Sequence, residues 1–583
     1  MSSLKELKNS KTLADLSHIL GFSPQSLTYV IYIIPSTKKY YSFEVPKKNG
    51  GKRLIQAPEP SLKNLQRRLA NLLNNCSIEL DKKKRGRSLA HGFKKEHSIH
   101  TNAKVHRNKR YVLNFDIQDF FPSINFGRVR GYFLKNRDYA LPEKIATIIS
   151  QIACHDNQLP QGSPCSPVIS NLIAHLLDVR LVKLAKKFNC YYSRYADDIT
   201  FSTNQRDFPN EIAYQDSSDT EIWHLSKDIE NQVARSGFKV NPNKTYMRCR
   251  NNRQVVTGLV VNRKVNVRSE YYRLARAMTH SLFKKGFYTT PAALSPIDIP
   301  EHFPMEREEK DLNILGGVLN FINYTRNFSD QRELREKQKD PTAIWKLFKR
   351  FLFFKYFGLP NKPLLVCEGP SDAIYIKMAL KKLKDRYPSL INIDGDKIYY
   401  KIKFLKYSKS VSHVLQLSGG VAPLATFVGR YQKDVEHYPA WSPIQPVILL
   451  TDNDIEAKKV FSAVNQNSQS KPEIKVNDDF YYVNNNLYLV KTPHLPKKQK
   501  TIIEDLFDPK WLGFEIKGKK FSPENNCDKS KFYGKMEFAE KVIAKNFDKV
   551  SFDKFIPLLD RIVAAQQAFM KKQNIKGVSK KQN

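Results

Sequence analysis

Disulfides and zinc ribbons are excluded at once. Seven cysteines are scattered through 583 residues, at 76, 154, 165, 190, 249, 367 and 527, and none forms a C-x-x-C pair. Such thiols fit a reducing cytoplasm. Long apolar runs are missing too, since none approaches the roughly 18 residues that a membrane span needs. The opening MSSLKELKNSKTLADL lacks a signal-peptide core, so a cytoplasmic protein with no membrane partner is expected. Acidic charge is also short: 57 Asp and Glu against 97 Lys and Arg give a formal net charge of +40. Solubility needs far less. An excess of this size implies a polyanionic partner, because cations that neutralise phosphates release condensed counterions.

What the chain does have is aromatic bulk, 35 Phe and 28 Tyr, enough for several packed domains. Leu4, Leu7, Leu13, Leu16 and Leu20 recur at helical spacing until Gly21 and Pro24 stop them. Residues 47–53 (K-K-N-G-G-K-R) read as the basic tip of a hairpin. Helices are expected over 62–80, 141–152 and 166–188, and a strand over 111–116 ends on an acid. Residues 286–312 read as a loop or insertion, and 358–363 (G-L-P-N-K-P) as a linker. Beyond it strand, loop and helix alternate: a strand at 364–368, a helix from Asp372, a strand at 414–417, a helix, then a strand at 447–452. That order predicts a parallel α/β domain.

Two acid constellations carry chemistry. In the first, residues 191–202 read as two strands meeting at a tight turn, with Tyr195-Ala196-Asp197-Asp198 at its tip. Adjacent carboxylates repel unless a divalent cation sits between them. Asp116 ends another strand. Three carboxylates on neighbouring strand ends can hold two Mg2+, one activating a hydroxyl and the other stabilising a leaving pyrophosphate. A lone Asp after a strand is more often a helix cap; the Asp-Asp pair reverses those odds.

Here the sequence resembles the reverse transcriptase family over about residues 40–265. Asn114-Phe-Asp-Ile-Gln-Asp-Phe-Phe-Pro-Ser-Ile124, Leu159-Pro-Gln-Gly-Ser-Pro-Cys-Ser-Pro167, Arg194-Tyr-Ala-Asp-Asp198 and Gly237-Phe-Lys-Val-Asn-Pro-Asn-Lys-Thr245 match its ordered motifs. The resemblance implies a right-hand polymerase with Asp116, Asp197 and Asp198 as metal ligands and Phe121 as the gate against a ribose 2′-OH. It also implies Gln161 and Gly162 beside the incoming nucleotide, and Arg53, with Lys52, gripping its triphosphate. Lys244 has two readings, proton donor to pyrophosphate or solvated lysine. Asn102-Ala-Lys-Val-His106 and Val256-Thr257-Gly258 resemble elements of the retron reverse transcriptases. That implies a cognate structured non-coding RNA, recognised in part by these residues. It implies priming from a guanosine 2′-OH, dNTPs as substrates, and a branched RNA–DNA hybrid as product. Residues 1–265 are then fingers and palm. Residues 266–357 are a helical, RNA-binding thumb carrying Arg268, Arg273, Arg276, Lys284 and Lys285.

In the second constellation Glu368 closes one strand and Asp452 with Asp454 closes another, at the strand ends where open parallel sheets put their sites. Such acids can bind Mg2+ beside a phosphodiester. The E-G-x-x-D and D-x-D pieces resemble the TOPRIM domain, over 364–510, with 511–583 a helical extension and basic tail. This implies one or two Mg2+ and a nuclease acting on nucleic acid, held in check by the RNA–DNA product in antiphage defence, with a homo-oligomer open. Asp372 reads as metal ligand or helix cap, and Glu504 as part of a second metal position. Two other readings stand: a mobile-element reverse transcriptase whose second domain serves DNA integration or repair, and a silent binding scaffold.

Overall fold

The computed structural model describes residues 2–46, 51–84, 88–219, 222–291, 305–309, 311–468, 478–496, 498, 500–524 and 527–579. The hairpin tip at 47–50, the 292–304 and 310 part of the expected loop, and the tail beyond 579 lie outside the described residues. The chain divides into two compact units. One is built mainly on Met1–Ser269 and Thr325–Asp330, the other on Glu270–Ser295, Ile299–Tyr324 and Gln331–Asn583. The residues expected to form a separate thumb therefore fall almost wholly in the second unit. Among the described residues no helix is long and apolar enough to cross a membrane.

The first unit is organised by a four-stranded antiparallel sheet. Strand β3 (Tyr111–Gln118) lies between β5 (Asp198–Thr203) and the Lys239–Cys249 strand, and β4 (Tyr191–Tyr195) flanks β5. Six of the eight β3 residues are buried, because Val112, Leu113, Phe115 and Ile117 supply apolar side chains to both faces. Phe115 stacks on Phe201 of β5 at 6.2 Å, a cross-sheet aromatic pair that fixes strand register. The Ser166–Lys187 helix starts with Pro167 in its first turn and buries Val168, Ile169, Ile173, Leu177 and Leu181. Strands β1 (Tyr40–Pro46) and β2 (Lys52–Pro58) form a separate two-stranded ribbon.

The second unit holds a five-stranded sheet. The Leu364–Cys367 strand runs parallel to Lys403–Phe404 on one side and to Val447–Thr451 on the other. Leu487–Lys491 continues the parallel set, and Tyr481–Asn484 closes it antiparallel. The α/β expectation thus holds for the 364 and 447 strands. The strand expected at 414–417 is absent: Lys409–Val414 is a short helix, and the apolar run after it is buried as coil. Three apolar residues in a stretch of four do not by themselves distinguish the two periods. Residues 288–291 and 305–309 pair antiparallel, so the expected loop contains a ribbon.

The linker expected at 358–363 also needs correction. The Ala343–Phe353 helix widens into a π turn over Phe354–Gly358. Phe357 lies 4.8 Å from Phe427 and Phe354 lies 5.1 Å from Tyr438. A Cβ on Gly358 would come within 2.8 Å of the Trp441 ring. Aromatic packing therefore welds the start of this segment into the second unit, which a chain reading based on Gly and Pro alone does not register.

Candidate active site

The Tyr195–Asp198 turn is fixed by register. Residue Asp116 on β3 stands directly opposite Asp198 on β5, and Tyr195 on β4 pairs with Asp198. Ala196 and Asp197 are left as a two-residue turn, with Ala196 at φ +56°. Tight hairpins demand positive φ, which a small residue tolerates. The Ile117 N–H donates to the Asp197 carbonyl at 3.1 Å and ties the tip to β3. Close against it runs the 90–93 segment, where a Cβ on Gly92 would meet the Ala196 nitrogen at 2.7 Å.

Like charges directly opposite in a sheet repel. Burial, then repulsion from Asp116, raises the Asp197 carboxyl above its usual range. The protein atoms crowding Asp198, then repulsion from Asp197 and Asp116, push that carboxyl up to about 7, although the residue keeps solvent-exposed surface. Lys244 Nζ sits 3.0 Å from Asp116 Oδ2. Burial opposes its charge, but the bond to Asp116 and the attraction of the neighbouring acids outweigh that and raise its pKa. Among the described residues no three acidic, thiol or imidazole groups are closed around a metal position as they stand. The donor chemistry nevertheless fits a divalent cation, since hard oxygen ligands under mutual repulsion are what Mg2+ relieves.

A buried ion pair braces the turn. Arg194 is 0% exposed and Asp178 1%. Arg194 Nε donates to Asp178 Oδ1 at 2.7 Å and Nη2 to Oδ2 at 2.8 Å, a bidentate fork. Its Nη1 donates to the Ala196 carbonyl at 2.9 Å, and Tyr192 OH donates to Asp178 at 2.7 Å. Asn171 links Arg194 to the Gly92 carbonyl. Motif reading quoted Arg194 without giving it a role. Its position just before the Asp-Asp pair was the available signal, while Asp178 on the preceding helix offered none.

The nucleotide-site expectations separate. Arg53 is exposed and its charge acts on Asp197, whereas Lys52 is engaged by Glu44 at 2.6 Å. The Gln56 N–H donates to the Gln161 carbonyl at 2.7 Å, joining β2 to the 159–167 loop. Gly162 has φ +124°, and a Cβ there would lie 2.6 Å from the Gln56 carbonyl oxygen, so this close approach requires glycine. Phe121 is half-buried, packed on Phe120 at 5.4 Å and on Phe93 at 6.0 Å.

Asn102 and His106, expected to recognise RNA, are 0% exposed, as is Val256. Direct contact by these three is therefore corrected to a scaffold role. Ser193 Oγ donates to Asn102 Oδ1 at 2.6 Å, and the His106 ring bridges Ser202 and Ser193 at 2.7 Å each. The motif thus clamps β4 to β5. Thr257, at φ +46°, donates to the Ile99 carbonyl. Thr257 and Gly258 keep partial exposure.

In the second unit the acids also converge. Glu368 accepts from the Asp452 N–H at 3.4 Å, and Asp452 accepts from the Ile503 N–H at 2.8 Å. Lys535 Nζ lies 3.1 Å from Glu504 and 3.9 Å from Asp452. Burial, then repulsion from Asp372, pushes Glu368 up to about 7 and Asp452 up to about 9. Asp372 accepts from the Gly369 N–H at 2.8 Å, which is the cap alternative realised, and burial raises its pKa. Asp454 accepts from the Ala457 N–H at 2.9 Å and adds to the charge felt by Glu368. Lys535 was invisible to motif reading.

Residues 45–268 match the family model described as reverse transcriptase (RNA-dependent DNA polymerase). The stretch contains the three palm aspartates and ends before the second unit's sheet. The retron Mx162 reverse transcriptase of Myxococcus xanthus is 33% identical over 48% of this chain, and the match spans only 60% of that protein's length. The retron Ec86 reverse transcriptase of Escherichia coli is 31% identical over 46% of this chain and 78% of its own length. A Candida albicans telomerase structure aligns with 69% of this chain and 64% of its own at 11% identity and a TM-score of 0.30, too low to bear on the fold.

Arg194→Gln is expected to destabilise the first unit by about 3–5 kcal/mol, because it strands a buried carboxylate. Replacing both partners, Arg194→Met with Asp178→Leu, should recover part of that loss in denaturant unfolding. A double variant no more stable than the single one counts against the pair as the source. Burial, then repulsion from His91 and Lys109, lowers His106 to about 3. The unfolded chain takes up a proton near pH 6.5 that the folded state refuses, so stability is full above about 6.5 and falls as pH drops towards 3, by at most about 1.4 kcal/mol per pH unit. His106→Gln should flatten the decline in unfolding free energy between pH 6.5 and 4; an unchanged slope removes His106 as its source.

Proposed function

We propose that this chain, which belongs to the retron reverse transcriptase family, is an RNA-directed DNA polymerase. The observation that carries the reading is Asp116 facing Asp198 across the sheet beside the Ala196-Asp197 turn. Mg2+ bound by these carboxylates supplies an activated hydroxyl and neutralises the pyrophosphate charge. The protein's own part is positioning: the Arg194 fork sets the turn, Arg53 grips the triphosphate, and Gly162 lets the backbone come close. Phe121 excludes the 2′-OH. Lys244 holds Asp116 and stands ready to give a proton to pyrophosphate. The template is a cognate structured RNA primed from a guanosine 2′-OH, and the product is a branched RNA–DNA hybrid. The net charge of +40 suits both.

The second unit is read as a TOPRIM-like, Mg2+-dependent nuclease effector acting in the bacterial cytoplasm in antiphage defence and restrained by that hybrid. Its support is the gathering of Glu368 and Asp452, at parallel strand ends, with Glu504 and Asp372 from neighbouring helical turns. Burial raises all four, and repulsion adds to it at Glu368, Asp452 and Glu504. A silent scaffold has no reason to keep so costly a cluster.

Asp197→Asn combined with Asp198→Asn should abolish DNA synthesis while the thermal midpoint stays equal or rises, since the repulsion is gone. Surviving synthesis refutes the palm assignment. Glu368→Gln should leave DNA synthesis intact and remove both toxicity and phage resistance in cells. Retained resistance would sink the effector reading alone.

A further inference from the structure

A cleft of about 200 Å3 opens in the second unit, away from the acid cluster. It lies between the Ala343–Phe353 helix, the loop after Lys409–Val414 and the end of the Val421–Val435 helix. Trp345, Phe353 and Tyr438 contribute apolar wall, and Gln338 and Gln416 contribute amides.

Its charge is one-sided. Lys346, Lys349 and Arg350 sit at i, i+3 and i+4 on one helix, so they share a face, and all three line the cleft. The one lining carboxylate, Asp434, is already taken by Arg430 at 3.4 Å. Arg430 itself lies behind the wall, where Nη1 donates to Gln416 Oε1 at 3.1 Å and Nη2 donates to the Leu415 carbonyl. This holds Gln416 in the left-handed region at φ +58°. Lys349 is half-buried, with no ion pair among the described residues. Burial, then repulsion from Arg430, lowers its pKa. Of the three only Lys349 is half-buried, while Lys346 and Arg350 are exposed at the cleft. The attraction of Asp434 offsets only part of the Lys349 desolvation, and an anion in the cleft completes it.

We infer that this cleft binds a phosphomonoester, with the phosphate on Lys349, Lys346 and Arg350 and the attached sugar against Trp345 and Tyr438. The volume suits a terminal phosphate with its sugar and is small for a duplex. Two sources share that chemistry, the 5′ end of a strand and a free nucleotide.

The test uses the full chain and short ligands, so that the general basic surface contributes little. Calorimetric titration compares 5′-phosphorylated dithymidine, the same dinucleotide with a 5′-hydroxyl, and thymidine 5′-monophosphate. The phosphorylated dinucleotide should bind about tenfold more tightly than the hydroxyl form, as charge-assisted contacts are lost. Lys349→Ala should erase that difference, leave DNA synthesis unchanged, and leave the ligand-free thermal midpoint equal or higher. Equal binding of the monophosphate assigns the site to free nucleotides, and weaker binding assigns it to strand ends. Equal affinity for the phosphorylated and hydroxyl dinucleotides in the wild-type chain overturns the inference. So does a difference that survives both Lys349→Ala and Arg350→Ala.

Discussion

Electrostatic repulsion among Asp116, Asp197 and Asp198 is the constraint around which the first unit is arranged. A turn carrying two carboxylates against a third gains nothing from burial at its tip, so it must be held from behind. Register does part of this, through β3, β5 and the Ile117 bond to the Asp197 carbonyl. The Arg194–Asp178 fork does the rest from inside the core. That pair is costly to bury, and pairs of this kind often add little net stability. Its location explains its presence better than its energy does: Nη1 reaches the carbonyl of the residue before Asp197, so rigidity is delivered where the metal ligands need it.

The second unit meets the same difficulty differently. Glu368 and Asp452 sit at the ends of the Leu364–Cys367 and Val447–Thr451 strands, and backbone N–H groups of Asp452, Ile503 and Gly369 donate to Glu368, Asp452 and Asp372 in turn. Lys535 enters the cluster from much later in the chain. Both units let a lysine into the acid cluster, Lys244 in the first and Lys535 in the second, and the first adds a buried cation behind the turn. Both leave carboxyls raised above their ordinary range, the signature of sites poised to exchange a proton or a metal for structure.

The legible parts of the sequence were those with a local pattern. Asp116 follows alternating strand residues, and Asp197-Asp198 follow Tyr-Ala at a turn, so strand ends and carboxylates could be read together. Glu368 and Asp452 were legible for the same reason. Arg194–Asp178 spans a helix and a strand, and nothing in residue 178 distinguishes it from any helix aspartate. Lys535 is one of 97 basic residues. The 414–417 run is ambiguous because its three apolar residues, Val414, Leu415 and Leu417, fit a strand as well as a buried coil. The linker at 358–363 was misread because Gly358 serves close packing against Trp441, not chain flexibility.

The residues that most narrow the family are the ones least able to touch RNA. Asn102 and His106 lie sealed beneath β4 and β5, where their side chains bond Ser193 and Ser202. Those serines flank the braced turn, Ser193 one residue before Arg194. Burial keeps His106 neutral; since Ser193 gives its proton to Asn102, the ring donates to Ser193 from Nε2 and accepts from Ser202 at Nδ1. The motif therefore sets the spacing of the two strands that carry the catalytic turn. Thr257 and Gly258 keep exposure, and Thr257 is anchored to the adjoining Ile99–Val105 helix. Substituting Asn102 or His106 therefore acts first on the strands that hold the Ala196-Asp197 turn.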